Sequence, residues 1–143
     1  MEFTGLDIEE ASRRNLMTSL TVLALLADEQ ARVTEPGCVP CEITSEFDLY
    51  LDLYRQHWPR TPEEEAALDA AGDQLRLAVA EPYECFDNAV LLRPAWERLR
   101  LRAAEALRVF GWTGLRVHPY EPEGPVCCAG CPPIRTTAPD PRR

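Results

Sequence analysis

The residues with the most chemistry to offer are the six cysteines, five of which fall into two clusters. Cys38-Val39-Pro40-Cys41 is one, and Cys127-Cys128-Ala129-Gly130-Cys131 is the other. A C-x-x-C pair sets two sulfurs on one side of a tight turn, and two such pairs complete a tetrahedral zinc site. The spacing therefore predicts a metal site on Cys38, Cys41, Cys128 and Cys131, with Cys127 and His118 as alternate ligands. Zinc is the expected ion. An iron–sulfur cluster or copper is the alternative that soft thiolate ligands also suit. Disulfides are the other outcome, in an oxidising compartment. Cys85 stands alone and reads as a buried, small apolar side chain rather than a ligand.

The two clusters are separated unusually widely for a zinc ribbon, whose pairs stand about 15–20 residues apart. Here 86 residues, 42 to 127, intervene. The expected site thus staples an early interhelical connection to the C-terminal tail, and closing so long a loop removes much unfolded-state entropy. Pro40 is the weak point of the first pair. Turn amides normally donate to metal-bound sulfurs, and proline has no N–H.

Other chemistry is thin. Asp48 and Asp52 are one helical turn apart, and Glu84 and Asp87 are close in sequence; carboxylates so spaced can exchange protons with a substrate. In a chain this acidic they read as a solvated face. His57 is placed to end a helix, where a cation meets the negative end of the dipole. No serine sits in a nucleophile-elbow pattern, and the seven glycines are too scattered for a phosphate loop. The expectation is a non-enzymatic chain.

The elements that must position the cysteines read as helices. One helix is predicted over Ile8–Arg32, with Asp7 and Glu10 as a capping box and Leu16, Leu20, Leu23 and Ala27 on one stripe. A second is predicted over Glu46–Trp58, capped by Ser45 and Asp48, with Phe47, Leu51, Tyr54 and Trp58 on one face. A third starts at Thr61-Pro62-Glu63-Glu64 and carries Leu68, Ala71, Leu75, Ala78 and Val79, with Gly72 as an interior weak point. Pro94 to Gly111 makes the fourth, facing inward with Trp96, Leu99, Ala103, Leu107 and Phe110. Thr113–His118 has the composition of one short strand. Seven prolines between Pro119 and Pro141 exclude regular structure there. The fold expected is mainly α: a single-domain antiparallel bundle of about four helices over residues 1–118. Residues 119–143 form an irregular Pro/Cys-rich tail folded back through the cysteine site.

At 143 residues, with 45% hydrophobic and 27% charged, the chain is long enough for one core and too apolar to be disordered. The net charge is −9, which argues against a nucleic-acid partner. The charge is polarised: residues 1–92 carry six arginines against 19 acids, and residues 93–143 nine arginines against five. Arg93, Arg98, Arg100 and Arg102 gather on or beside the fourth helix and are the candidate surface for another protein or, as a second alternative, for the phosphates of a nucleic acid, which would make the chain a nucleic-acid-associated regulator using the Arg-rich helix 94–110.

Two short resemblances complete the reading. Cys38-Val39-Pro40-Cys41 resembles the redox motif of thioredoxin-like proteins over those four residues. That motif implies a cysteine of depressed pKa at a helix N-terminus, but the βαβ context of the family is not present in this chain. Ser12-Arg13-Arg14-Asn15-Leu16-Met17 resembles a twin-arginine export signal and implies export. Acidic residues before it, and no small-x-small site after it, favour a buried first helix in a cytoplasmic protein. The uncharged run Leu16–Ala27 is too short to span a bilayer. Taken together, the residues predict a soluble, acidic, zinc-stabilised adaptor or regulator; thiol-redox or metal-handling work is the alternative.

Overall fold

The computed structural model describes residues 5–117, and among them every regular element is helical. In chain order these are α1 (Gly5–Ala24), α2 (Ala27–Thr34), α3 (Val39–His57), α4 (Pro62–Ala80), a 3-10 turn (Asn88–Leu92) and α5 (Pro94–Phe110). The tail, residues 119–143, lies outside the described residues, as do Cys127, Cys128, Cys131 and His118.

The predicted first helix is two. The chain leaves the helix at Leu26, which is extended (φ −63°, ψ 156°) and 69% exposed. No glycine or proline marks the break. Its cause is Gln30, 1% exposed, whose Nε2 donates to Val22 O at 3.2 Å and Leu23 O at 3.0 Å. Those carbonyls belong to the last turn of α1, where helical backbone donors run out; Val22 O also accepts from Leu25 N at 3.1 Å. The glutamine thus ties α2 to the last turn of α1.

The third helix also departs from expectation, and this bears directly on the cysteines. It begins at Val39, seven residues before the predicted Glu46, so Ser45 is an interior residue and not a cap. Cys38 is the N-cap residue and Pro40 lies in the first turn. Proline is favoured there because its missing N–H has no intrahelical acceptor to lose. Pro40 is thus a helix starter whose missing N–H costs the helix nothing, though it still offers no amide to a sulfur.

α4 and α5 follow their sequence signals. Thr61 Oγ1 accepts from Glu64 N at 3.1 Å, and Glu64 Oε1 accepts from Thr61 N at 2.9 Å, a complete capping box. α5 ends at Gly111 with φ 73°, and Trp112 N donates back to Leu107 O at 2.9 Å, closing the helix in the Schellman manner. Residues 113–117 form no strand.

α1 packs against α3 and α5, α4 against α5, and α2 against α3. Leu16, Leu20 and Leu23 of α1, Phe47 and Ile43 of α3, Leu68 and Ala71 of α4, and Trp96 and Leu99 of α5 fill the shared core. Trp58 Nε1 donates to Glu9 O at 2.7 Å, and the Arg13 guanidinium stands over the Trp58 ring at 5.5 Å. The Arg-Arg pair of the export-like motif therefore lies within α1, beside a buried Leu16. No described helix is long and apolar enough to cross a membrane.

Gly72 is buried inside α4, and a Cβ built on it would meet only Leu51 Cδ2, at 3.6 Å, an ordinary contact. Gly72→Ala should therefore raise stability by about 0.5–1 kcal/mol, the helix-interior cost of glycine. Urea denaturation reads this directly. A lower midpoint for the variant would show that the α3–α4 contact is tighter than described.

Candidate metal centre

Three cysteines converge: two of the predicted four, Cys38 and Cys41, and one from outside that set, while Cys128 and Cys131 lie outside the described residues. The sulfurs of Cys38, Cys41 and Cys85 all lie within 4.8 Å of one another. Cys38 and Cys41 belong to the predicted set, on the N-cap and first turn of α3. The third member is Cys85, from the 81–87 connection between α4 and the 3-10 turn. Cys85 is exposed, so its reading as buried apolar filler is overturned. Its surroundings in the sequence, Glu-Pro-Tyr-Glu-Cys-Phe-Asp, carry no helical apolar period, and that is the signal by which a loop cysteine could have been told from a core one.

The distances fit a metal. With zinc–sulfur bonds of about 2.3 Å, two sulfurs of a tetrahedral site stand roughly 3.8 Å apart. Cys41 Sγ and Cys85 Sγ are 3.7 Å apart, although 44 positions separate them in sequence. That distance is far beyond the roughly 2.05 Å of a disulfide bond. Burial is graded across the group: Cys38 is fully buried, Cys41 half-buried and Cys85 exposed.

The 81–87 connection also supplies hydrogen-bond partners for the sulfurs. Phe86 N donates to Cys38 Sγ at 3.1 Å. Phe86 does so from a left-handed conformation, φ 69°, which costs a residue with a Cβ roughly 1–2 kcal/mol. Such a conformation persists only where surrounding contacts hold it. The Tyr83 hydroxyl lies 3.8 Å from Cys41 Sγ, and the Tyr83 ring meets Trp96 edge-on, centroids 5.9 Å apart. At the start of the connection, Arg93 Nη1 donates to Pro82 O at 3.0 Å. At its end, Asp87 Oδ1 accepts from Ala89 N at 3.1 Å and caps the 3-10 turn.

Burial, followed by the neighbouring Cys38 sulfur, pushes the Cys41 thiol up to about 12, while the Tyr83 hydroxyl pulls the other way. A thiol so strongly protonated is a poor nucleophile at neutral pH. Cys38 and Cys41 do sit at a helix N-terminus, as the thioredoxin-like motif implies. A bound cation has to displace the proton, as metal sites on cysteine do.

Glu42 is a buried acid that sequence reading did not single out, because it fell outside the expected second helix. It is 5% exposed and adjoins Cys41. Its Oε2 has no hydrogen-bond partner among the described residues. Burial first, then the Glu46 carboxylate one turn on, push Glu42 up to about 7; burial also raises Glu46. Tyr50, another turn along, is raised by its own burial and then by these two acids. The acids that were singled out are all exposed: Asp48, Asp52, Glu84 and Asp87. His57 is the last residue of α3, at the expected helix end.

The arginines divide. Arg93 is held by the 81–87 connection, and Arg100 Nη1 donates to Leu91 O at 2.7 Å, so both support the 3-10 turn. Arg98 and Arg102 are exposed, one turn apart on α5, with no ion pair among the described residues. No protein-family model, curated protein or solved structure matches the chain.

The buried acid sets a pH dependence for the metal-free protein. Glu42 binds its proton more tightly folded (about 7) than at its ordinary value of 4.5, so the native state holds the extra proton in between. Stability should fall as pH rises from about 4.5 to about 7, the reverse of an ion-paired acid. Glu42→Gln should flatten that slope and raise the denaturation midpoint at pH 8. An unchanged slope in the variant would place the buried proton elsewhere.

Proposed function

We propose that the chain is a non-enzymatic, metal-binding helical adaptor. In this reading zinc on Cys38, Cys41 and Cys85 clips the 81–87 connection to the start of α3. The observation that carries it is the three-sulfur group itself: two segments far apart in sequence bring soft ligands to tetrahedral spacing. The amide of Phe86, aimed at a sulfur from a costly backbone conformation, supports the same reading. A cysteine of the tail completes the tetrahedron, from Cys127, Cys128 or Cys131, with His118 the remaining alternate. In this way residues 119–143 fold back onto the helices. Zinc is favoured over copper and iron–sulfur because it takes thiolates without redox chemistry and closes a four-ligand structural site.

The adaptor half of the reading rests on Arg98 and Arg102, which offer a pair of exposed guanidiniums to an acidic protein surface. A second reading, metal handover, is favoured by the exposure of Cys85, which leaves one ligand open to an incoming donor. The two differ in exchange rate: a structural centre gives up its ion slowly to a chelator, a handover centre within seconds.

Elemental analysis of the purified full chain should find one zinc per molecule, lost together with thermal stability on chelation. A ligand present at 1,000 times its dissociation constant stabilises by about 4 kcal/mol. Cys38→Ser and Cys85→Ser should each abolish stoichiometric binding. With cobalt in place of zinc, the sulfur-to-metal absorption should report four thiolates. It should report three when Cys127, Cys128 and Cys131 are all changed to serine. Tight zinc binding in Cys85→Ser would overturn the three-sulfur centre, and no stoichiometric metal in the intact chain would overturn the function.

A further inference from the structure

Besides the Cys85 sulfur, 3.7 Å from Cys41 Sγ, the connection brings one further hydrogen-bonding group to each of the other two sulfurs. For Cys38 it is the Phe86 amide, at 3.1 Å. For Cys41 it is the Tyr83 hydroxyl, at 3.8 Å. One seven-residue stretch, 81–87, thus brings a ligand, a backbone donor and a side-chain hydroxyl to the same place. Resting on the metal reading above, we propose that Tyr83 is a positioning residue of the centre. Its hydroxyl donates to the Cys41 sulfur, fixes that sulfur's direction and spreads the charge the sulfur acquires when it binds the ion.

The chemistry of the two groups decides which one donates. A neutral thiol and a phenol can each donate or accept. A metal-bound cysteine is a thiolate and has no proton to give. In the loaded protein the only proton available to this contact is therefore the phenolic one, and the hydrogen bond becomes charge-assisted. Outer-shell donors of this kind orient ligands, and losing one costs about 10–100-fold in metal affinity.

The structure also gives Tyr83 the rigidity the role needs. Its ring is set at 89° to the ring of Trp96, which is 2% exposed and anchored in the core on α5. Tyr83 is two residues from Cys85, so the ring that orients Cys41 also restrains the approach of the exposed ligand. A phenylalanine keeps the ring and the contact with Trp96 and removes only the oxygen.

The test is Tyr83→Phe in the full chain, with zinc affinity measured by competition against a chromophoric chelator. The expected result is a 10–100-fold weaker affinity with the metal-free melting temperature unchanged. The cobalt-loaded variant should also show a shifted sulfur-to-metal absorption band, which loss of packing alone would not produce. Affinity within twofold of the wild type, together with an unshifted band, overturns the role of Tyr83 and leaves the metal reading standing. Failure of the wild type to bind zinc or cobalt overturns both. Should the variant fail to fold, NMR of the zinc-loaded wild type decides. A tyrosine hydroxyl proton protected from solvent exchange supports the proposal, and a freely exchanging one overturns it.

Discussion

The 81–87 connection has almost no hydrophobic means of holding itself in place. Of its seven residues only Tyr83 is even half-buried; Glu81, Pro82, Glu84, Cys85, Phe86 and Asp87 are exposed. Burial of apolar surface is the usual force that positions a segment, at roughly 25 cal/mol per Å². Here that force acts at a single side chain. What remains is polar: the Arg93 guanidinium on Pro82 O, the Phe86 amide on Cys38, and the approach of Cys85 to Cys41. The route of the chain from α4 to α5 depends on those contacts, and α4 and α5 form the most extensive helix pair in the fold.

The start of α3 supplies the fixed side of that arrangement. Cys38 is wholly buried and serves as N-cap, so its sulfur is held by a helix that packs against α1 and α2. Cys41 follows in the first turn, and Thr44 Oγ1, donating to Pro40 O at 2.7 Å, ties down the backbone of that turn. Two sulfurs on a rigid turn and one on a weakly held connection make a natural clip. In the proposed metal-bound state, an ion that demands fixed sulfur separations would convert the weak side into a copy of the strong one. Protein interiors rarely supply such directionality through apolar contact, which fixes volume but not angle.

Much of the helical fold was legible. The α4 capping box and the Pro94-to-Gly111 frame of α5 are local signals whose partners lie within three or four residues. Their physics is therefore complete in the sequence. The break between α1 and α2 was not legible, since it depends on Gln30 folding back onto carbonyls seven and eight positions earlier. A polar residue in a helical run ordinarily reads as solvent-facing. The early start of α3 was missed for a related reason. Pro40 reads from the sequence as a turn residue lacking an N–H, whereas in a first helical turn that lack carries no penalty for the helix. For the site, the type and position of Cys38 and Cys41 were visible because C-x-x-C spacing is a local pattern. Cys85 has no local pattern, and only the fold of α4 back along α5 brings its connection to α3.

Charge is the constraint that ties the donors to the acids. In the proposed metal-bound state, three thiolates on a divalent cation would carry a net negative charge, and a fourth would deepen it, in a chain whose residues 1–92 hold 19 acidic residues against six arginines. A negative centre in such a field has to be relieved at short range, because interactions among exposed charges are screened within about 10 Å. Glu42 lies next to Cys41 in the sequence and is the group whose charge would oppose the centre most directly. Burial already biases it toward the neutral form. The remaining relief comes from dipoles aimed at the sulfurs: the Phe86 amide, the Tyr83 hydroxyl, and the positive end of α3, on whose N-cap and first turn Cys38 and Cys41 sit. In the proposed metal-bound state, partial charges in fixed positions would do this without another buried ion and without an arginine at the sulfurs.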